Sequence, residues 1–423
     1  MAFLRLLASA LLFASSSPAA SAANSPGADG PTAPAELYQS LVAEKLLTTA
    51  RNASGIPTTY PQYTTRDTGE WLYFAADGWT TGFLPSTFYL LHERAQLCPH
   101  STGGISAEKW LELGRTSATG EIQLEKVNHQ GHDVGFLSFP FADELNVNPN
   151  NATAIQAVNA FAADLAARFS PIVGCTRSWD AADPTDFQVI IDNMMNLEAR
   201  PPSPPVLFVS ERLTGNHTLR DIAISHADKT MVNHLRPDGS SYHVVDYNST
   251  TGVVFDQRTS QGYADWSTWS RGQAWGIYGF ANMYDHTGFQ RYIDTSRRMA
   301  SWFVDHVPSD GIVPWDFNAP LEPSPRPADS SAAMVAVNGM LLLAKQELSL
   351  KPANRTGAAY WNSAALKILS DTTKAFWKPE WSSLLSNGTV NNPVGNNLTG
   401  IVYGDYYFIR AGNELVKSGL AQC

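Results

Sequence analysis

The sequence predicts an all-α protein, a closed (α/α)6 double-ring barrel with six inner and six outer helices, and three observations predict it. Apolar residues recur at helical spacing through most of the chain, while strict alternation is rare. Six segments open on polar or aromatic residues and then turn strongly apolar. With Trp79, Asp133, Asp192, Arg271, Asp329 and Asp405 as their markers, they lie 54 to 79 residues apart. Each interval holds one inner helix, one returning helix and two loops, and the stretches between markers are amphipathic, as outer helices are. The 423 residues are 43% hydrophobic and include 12 Trp, 15 Tyr and 19 Phe, enough to fill such a core.

The elements follow in chain order. Residues 1–22 have the form of a signal peptide. Arg5 precedes an apolar run from Leu6 to Ala14, too short to span a bilayer, and Ala20-Ser21-Ala22 supplies small residues for cleavage. Residues 23–34 form a Pro/Ala/Ser-rich linker, and residues 35–423 a single catalytic domain. Helices are expected over Ala35–Leu47, Ala154–Phe169 and Arg291–Val307, where apolar positions recur three or four apart. Arg200-Pro201-Pro202-Ser203-Pro204-Pro205 excludes a helix and predicts an exposed loop insertion. Seven Asn-X-Ser/Thr sequons, at Asn52, Asn151, Asn216, Asn248, Asn354, Asn387 and Asn397, join the signal peptide in predicting a secreted, extracellular glycoprotein.

Three cysteines are too few for a disulfide scaffold, and none has metal-ligand spacing. One bridge, Cys98 to Cys175, is expected, with Cys423 free. His129, His132 and Asp133 match no strong metal signature. No phosphate loop, nucleophile elbow or basic stripe occurs, and the net charge is −10. No metal, cofactor, nucleic acid or membrane is therefore expected, and the chain is expected to act as a monomer.

Chemistry concentrates at the markers. Asp192 lies between Ile191 and Asn193-Met194-Met195, and Asp133 lies in Gly131-His132-Asp133-Val134-Gly135-Phe136. A carboxyl among apolar neighbours has a raised pKa, and two facing carboxyls oppose each other's ionisation. Such a pair suits general acid/base work on a sugar. Two helix-capping aspartates would leave the same trace. The segment from Gln261 to Gly276 adds Arg271 and Gln261 as hydrogen-bond donors, with Trp266, Trp269 and Trp275 as faces for sugar rings or as core. Asp265 is a candidate ion-pair partner of Arg271. His226 is expected in a helix, and His243 in a loop or short strand.

Together these motifs resemble glycoside hydrolase family 88, the unsaturated glucuronyl hydrolases. The resemblance rests on HDVGF, IIDNMMNL, SHADKT, RPDGSSYHVV, QGYADWSTWSRGQAWGIYG, PADSSAA and YGDYYF in that order, from about Trp79 to Phe408. It implies an (α/α)6 barrel that hydrates the double bond of a 4,5-unsaturated glucuronic acid at the non-reducing end of lyase products. Unsaturated uronic-acid oligosaccharides are then the partners. By position it implies Asp192 as general acid/base and Asp133 as the second essential carboxylate. Trp79, His132, His243, Gln261, Trp269 and Arg271 match substrate-contacting positions, the last four at spacings of 18, 8 and 2. No Ser-X-Ser-X-Lys sulfate-binding pattern is present near the C-terminus. The alternatives are an unsaturated rhamnogalacturonyl hydrolase of the family 105 type and a non-catalytic carbohydrate-binding protein.

Overall fold

The apolar runs after the markers become helices buried on most sides, and the amphipathic runs become helices buried on one stripe. The computed structural model describes residues 31–51, 56–197, 206–324 and 326–423. The signal-peptide residues, the Asn52 sequon and the 200–205 insertion lie outside them.

Outer helix α1 (Ser40–Arg51) follows a 3-10 turn that ends at Tyr38, because Gln39 is extended and divides the helix expected over Ala35–Leu47. The inner helix α2 (Phe83–Leu97) returns through outer α3 (Ala107–Ala118). The second inner segment is split into α4 (Val134–Leu137) and α5 (Phe139–Val147), and returns through outer α6 (Ala152–Ala167). The third comprises the single turn α7 (Asn193–Asn196) and α8 (Val206–Thr214), with α9 (Thr218–Asn233) outside it. Inner α10 (Ser270–Thr287) and α12 (Ser330–Ser349) pair with outer α11 (Gln290–His306) and α13 (Arg355–Phe376). Inner α14 (Val402–Lys417) completes the set. Neighbouring inner segments touch around the whole ring: α2 on α5, α4 on α7, α7 on α10, α10 on α12, α12 on α14, and α14 on α2. This is the (α/α)6 barrel that the six markers predicted.

Rings fill the barrel axis. Phe83 lies 5.2 Å from Phe136, Phe136 5.8 Å from Trp275, Trp275 5.7 Å from Tyr407, and Tyr407 4.9 Å from Tyr406. All are at most 1% exposed. Tilted and edge-on contacts of this kind contribute about 0.5–1.5 kcal/mol each beyond area burial. Beyond them, at the end where the inner helices begin, the barrel opens into a cavity.

Three expectations need correction. The inner helix expected to begin at Asp192 opens as the single turn α7, and the chain before it is a strand. The short antiparallel pairs β1 (Thr59–Thr64) with β2 (Trp71–Ala75) and β3 (Phe169–Ser170) with β4 (Cys175–Thr176) come first. A four-stranded antiparallel sheet follows, from β5 (Trp179–Asp180), β6 (Asp186–Ile190), β7 (Val244–Asn248) and β8 (Val254–Arg258). Val189 and Ile190 are β-branched in a short apolar run, and such a run is ambiguous between strand and buried helix until a partner strand is seen. The disulfide joins Cys98 to Cys423 with Cα atoms 5.7 Å apart. Cys175 is instead a buried thiol, packed with Val173, Phe187 and Val189, because its strand faces a small apolar core under the sheet. Finally, Arg271 pairs with Asp329 at 2.6 Å, while Asp265 accepts the Thr259 N–H at 2.9 Å. Asp329 also caps α12, its Oδ1 accepting from the N–H groups of Ser331 and Ala332 at 3.1 Å each.

Candidate active site

At the open end of the barrel lies a cavity of about 300 Å³. Asp192, Asp133, Trp79, His132, Gln261 and Arg271 all line it, joined by Phe136, Trp179, Ile190, Ser260 and Asn391. The structure thus brings six of the eight sequence-predicted residues to one wall. The other two, His243 and Trp269, stand one layer behind and are 3% exposed.

The sheet sets the central carboxyl. Ile190 pairs with Val244, and the Ile191 N–H donates to the His243 carbonyl at 3.0 Å, so Asp192 and His243 emerge side by side. Asp192 Oδ2 lies 3.6 Å from His243 Nε2, an electrostatic contact longer than a hydrogen bond. Asp133 is placed by close packing of α4 on α7. A Cβ at Gly135 would fall 2.4 Å from the Asn196 carbonyl oxygen, so only glycine permits the approach. That approach lets Asn196 Nδ2 donate to Asp133 Oδ1 at 3.1 Å.

Hydrogen bonds fix the two histidines in opposite tautomers. His132 Nδ1 lies 2.9 Å from the Ser178 carbonyl and must donate to it. Its Nε2 then holds the lone pair, 3.3 Å from Asp133 Oδ1, and a protonated Asp133 is the partner that contact accepts. His243 Nδ1 accepts the N–H groups of Ser260 and Gln261 at 3.2 and 3.3 Å, so its Nε2 carries the hydrogen toward Asp192. Burial holds both rings neutral. It lowers the His132 pKa to about 4 and takes that of His243 well below the usual imidazole range.

Burial acts on the carboxyls in the opposite sense. It raises Asp192 to about 7, against the lowering pull of Arg271 and His132 and with a further raise from Asp133. It raises Asp133 to about 7 as well, opposed by the Asn196 hydrogen bond and by Arg168. Each is therefore substantially protonated near neutrality, as the apolar flanks in the sequence predicted.

Arg271 and Gln261 hold the protein as well as lining the cavity. Arg271 Nη2 donates to the Val390 carbonyl at 2.8 Å, and Gln261 Nε2 donates to the same carbonyl at 3.0 Å. Arg271 Nη1 donates to Asp329 and to the Thr389 carbonyl. The pair thereby clamps the loop that presents Asn391 to the cavity. Trp269 packs between the His243 ring at 4.4 Å and the Arg271 guanidinium at 4.5 Å. His129 sits apart, paired with Asp77 at 2.6 Å. Among the described residues no group of three His, Cys, Asp or Glu side chains is arranged to hold a metal ion. No described helix is long and apolar enough to cross a membrane.

Sequence reasoning missed Trp179 and Asn391. Trp179, on an edge strand, meets His243 edge-on at 5.9 Å, and nothing beside it in sequence marks that position. Asn391 comes from a distant loop that the Arg271–Gln261 clamp holds at the cavity.

No family model matches the chain. An unsaturated glucuronyl hydrolase of Formosa agariphila is 34% identical over 341 residues, which cover 79% of this chain and 78% of that protein. One from Bacillus sp. strain GL1 is 31% identical over 313 residues, covering 73% and 78%. The crystal structure of the unsaturated glucuronyl hydrolase from Bacillus sp. GL1 superposes with a TM-score of 0.78 at 27% identity, covering 90% of this chain and 97% of the other. With this shared fold and these identities along most of both chains, the protein belongs to the unsaturated glucuronyl hydrolases and is a glycosidase.

Proposed function

We propose that the cavity receives the 4,5-unsaturated glucuronic acid at the non-reducing end of an oligosaccharide, and that Asp192 starts its release by protonating the ring double bond. One observation carries the reading: a cavity-lining carboxyl that burial keeps protonated near pH 7, beside a second carboxyl and an inward-facing imidazole N–H. Asp192 gives its proton to C4, and the electron pair of C4=C5 forms the new C–H bond. Positive character appears at C5 and is shared with the ring oxygen. Water adds at C5 and gives up a proton to the Asp192 carboxylate. The hemiketal opens at the ring oxygen, leaving C1 as a hemiacetal that expels the rest of the saccharide. Whenever Asp133 is ionised, its charge raises the proton affinity of Asp192, so the pair keeps at least one proton in the cavity. Asn391 lines the cavity from a segment, 387–399, that carries no charged side chain to pair with a sulfate, which supports unsulfated substrates.

The test follows the conjugated double bond by its ultraviolet absorbance across a panel of lyase-derived disaccharides. Absorbance falls with unsaturated glucuronyl substrates, and unsulfated ones turn over faster. Constant absorbance across the panel overturns the reading.

The same reading has the protein secreted, N-glycosylated and active as a monomer. A Cys98–Cys423 bridge supports an oxidising compartment. Asn216 is exposed, whereas Nδ2 of Asn151 and of Asn354 donates to a glutamate at 2.9 Å. Peptide mapping of the secreted protein is expected to find glycan on Asn216; an unmodified Asn216 in that material counts against this assignment.

A further inference from the structure

The three tryptophans of the 266–275 stretch part ways in the structure. Trp275 is 1% and Trp269 3% exposed, but Trp266 is 64% exposed, and Tyr263, edge-on to it at 6.3 Å, is 47% exposed. Both rings belong to a loop whose ends, Gln261 and Arg271, line the cavity. Trp266 is five residues from either end, so it lies within about 18 Å of the wall even with the chain fully extended. The loop is far from extended. Buried Asp316 accepts from the Tyr263 N–H at 2.9 Å and from the Ser267 hydroxyl at 2.6 Å, and Arg236 Nη2 donates to the Ser267 carbonyl at 3.0 Å. A loop held this firmly has no folding reason to leave an indole and a phenol in water.

We propose that Trp266 and Tyr263 form a stacking platform for the saccharide units beyond the first on the leaving-group side of the cleaved bond. This rests on the function proposed above. The cavity is closed at its inner end by the axial rings and has room for little more than the terminal sugar, so what reaches the rim is the remainder of the chain. The apolar face of a pyranose ring matches an exposed indole, and the carboxylate between the two rings, Asp265, is held by the Thr259 N–H at 2.9 Å.

The experiment compares unsaturated di- and tetrasaccharides of one polymer as substrates for the wild type, Trp266→Ala and Trp266→Phe, and titrates indole fluorescence with the saturated tetrasaccharide. The ratio of kcat/KM for tetrasaccharide over disaccharide falls about fivefold in Trp266→Ala, through KM, and Trp266→Phe restores much of it. The saturated tetrasaccharide quenches wild-type fluorescence, and Trp266→Ala loses that quenching. An unchanged ratio, or equal losses on both substrates, overturns the platform. If the wild type turns over neither substrate, the proposed reaction fails, and the fluorescence arm still decides whether the platform binds sugar.

Discussion

Asp192→Asn lowers kcat by on the order of 10³-fold while leaving the KM for an unsaturated disaccharide within a few-fold of wild type. The amide keeps the shape of the carboxyl and its place beside His243, so the cavity retains its form. It lacks the acidic proton that C4 must receive, and no neighbour replaces it. His132 and His243 are held neutral by burial, and the Nε2–H of a neutral imidazole is far too weak an acid. Asp133 is turned to His132 and Asn196. Single-turnover absorbance decay separates the chemical step from binding. A variant retaining more than a tenth of wild-type kcat assigns the acid to another residue.

The second large effect is on the alkaline side of the pH profile. Burial raises Asp192 to about 7, and the acid works only when protonated. kcat/KM is therefore level in this group below about pH 6 and falls tenfold per unit well above pH 7. The sign is that of a group lost by deprotonation, the opposite of a general base. Asp133 titrates near the same pH, so the limb belongs to the pair. Removing the Asp133 charge by Asp133→Asn takes away one raising influence on Asp192, and the limb of the residual activity moves to lower pH. A limb that stays in place separates the two carboxyls electrically and leaves burial as the whole cause of the raised value.

The barrel and the carboxyl pair were legible because both leave local marks. A helix buried on most sides is apolar all round, and a carboxyl set in such a run is desolvated wherever the run is buried. What escaped was made by distant pairings. Val189-Ile190 becomes a strand only because Val244 and Val245 lie alongside, more than fifty residues later. Cys423 reaches Cys98 across 325 residues, and neither cysteine's neighbourhood announces the other. Arg271 matched a substrate-contacting position, and its two Nη groups meet Asp329, Thr389 and Val390. Asp405 makes the complementary case. Its apolar setting resembles that of Asp192, yet it accepts the Leu384 N–H at 2.9 Å and holds the chain ahead of α14.

The rings stacked along the barrel axis have a kinetic meaning. With Phe136, Phe83 and Trp275 packed behind the carboxyls, sugar enters and both products depart through the mouth of the cavity. Such an enzyme cannot thread a polymer or work inward from a midpoint. It clips a single end unit and must then clear the doorway. Because the remainder exposes an ordinary saturated end, each oligosaccharide yields one turnover until a lyase cuts again. The supply of fresh chain ends, and not the length of the chains, sets the flux through this protein.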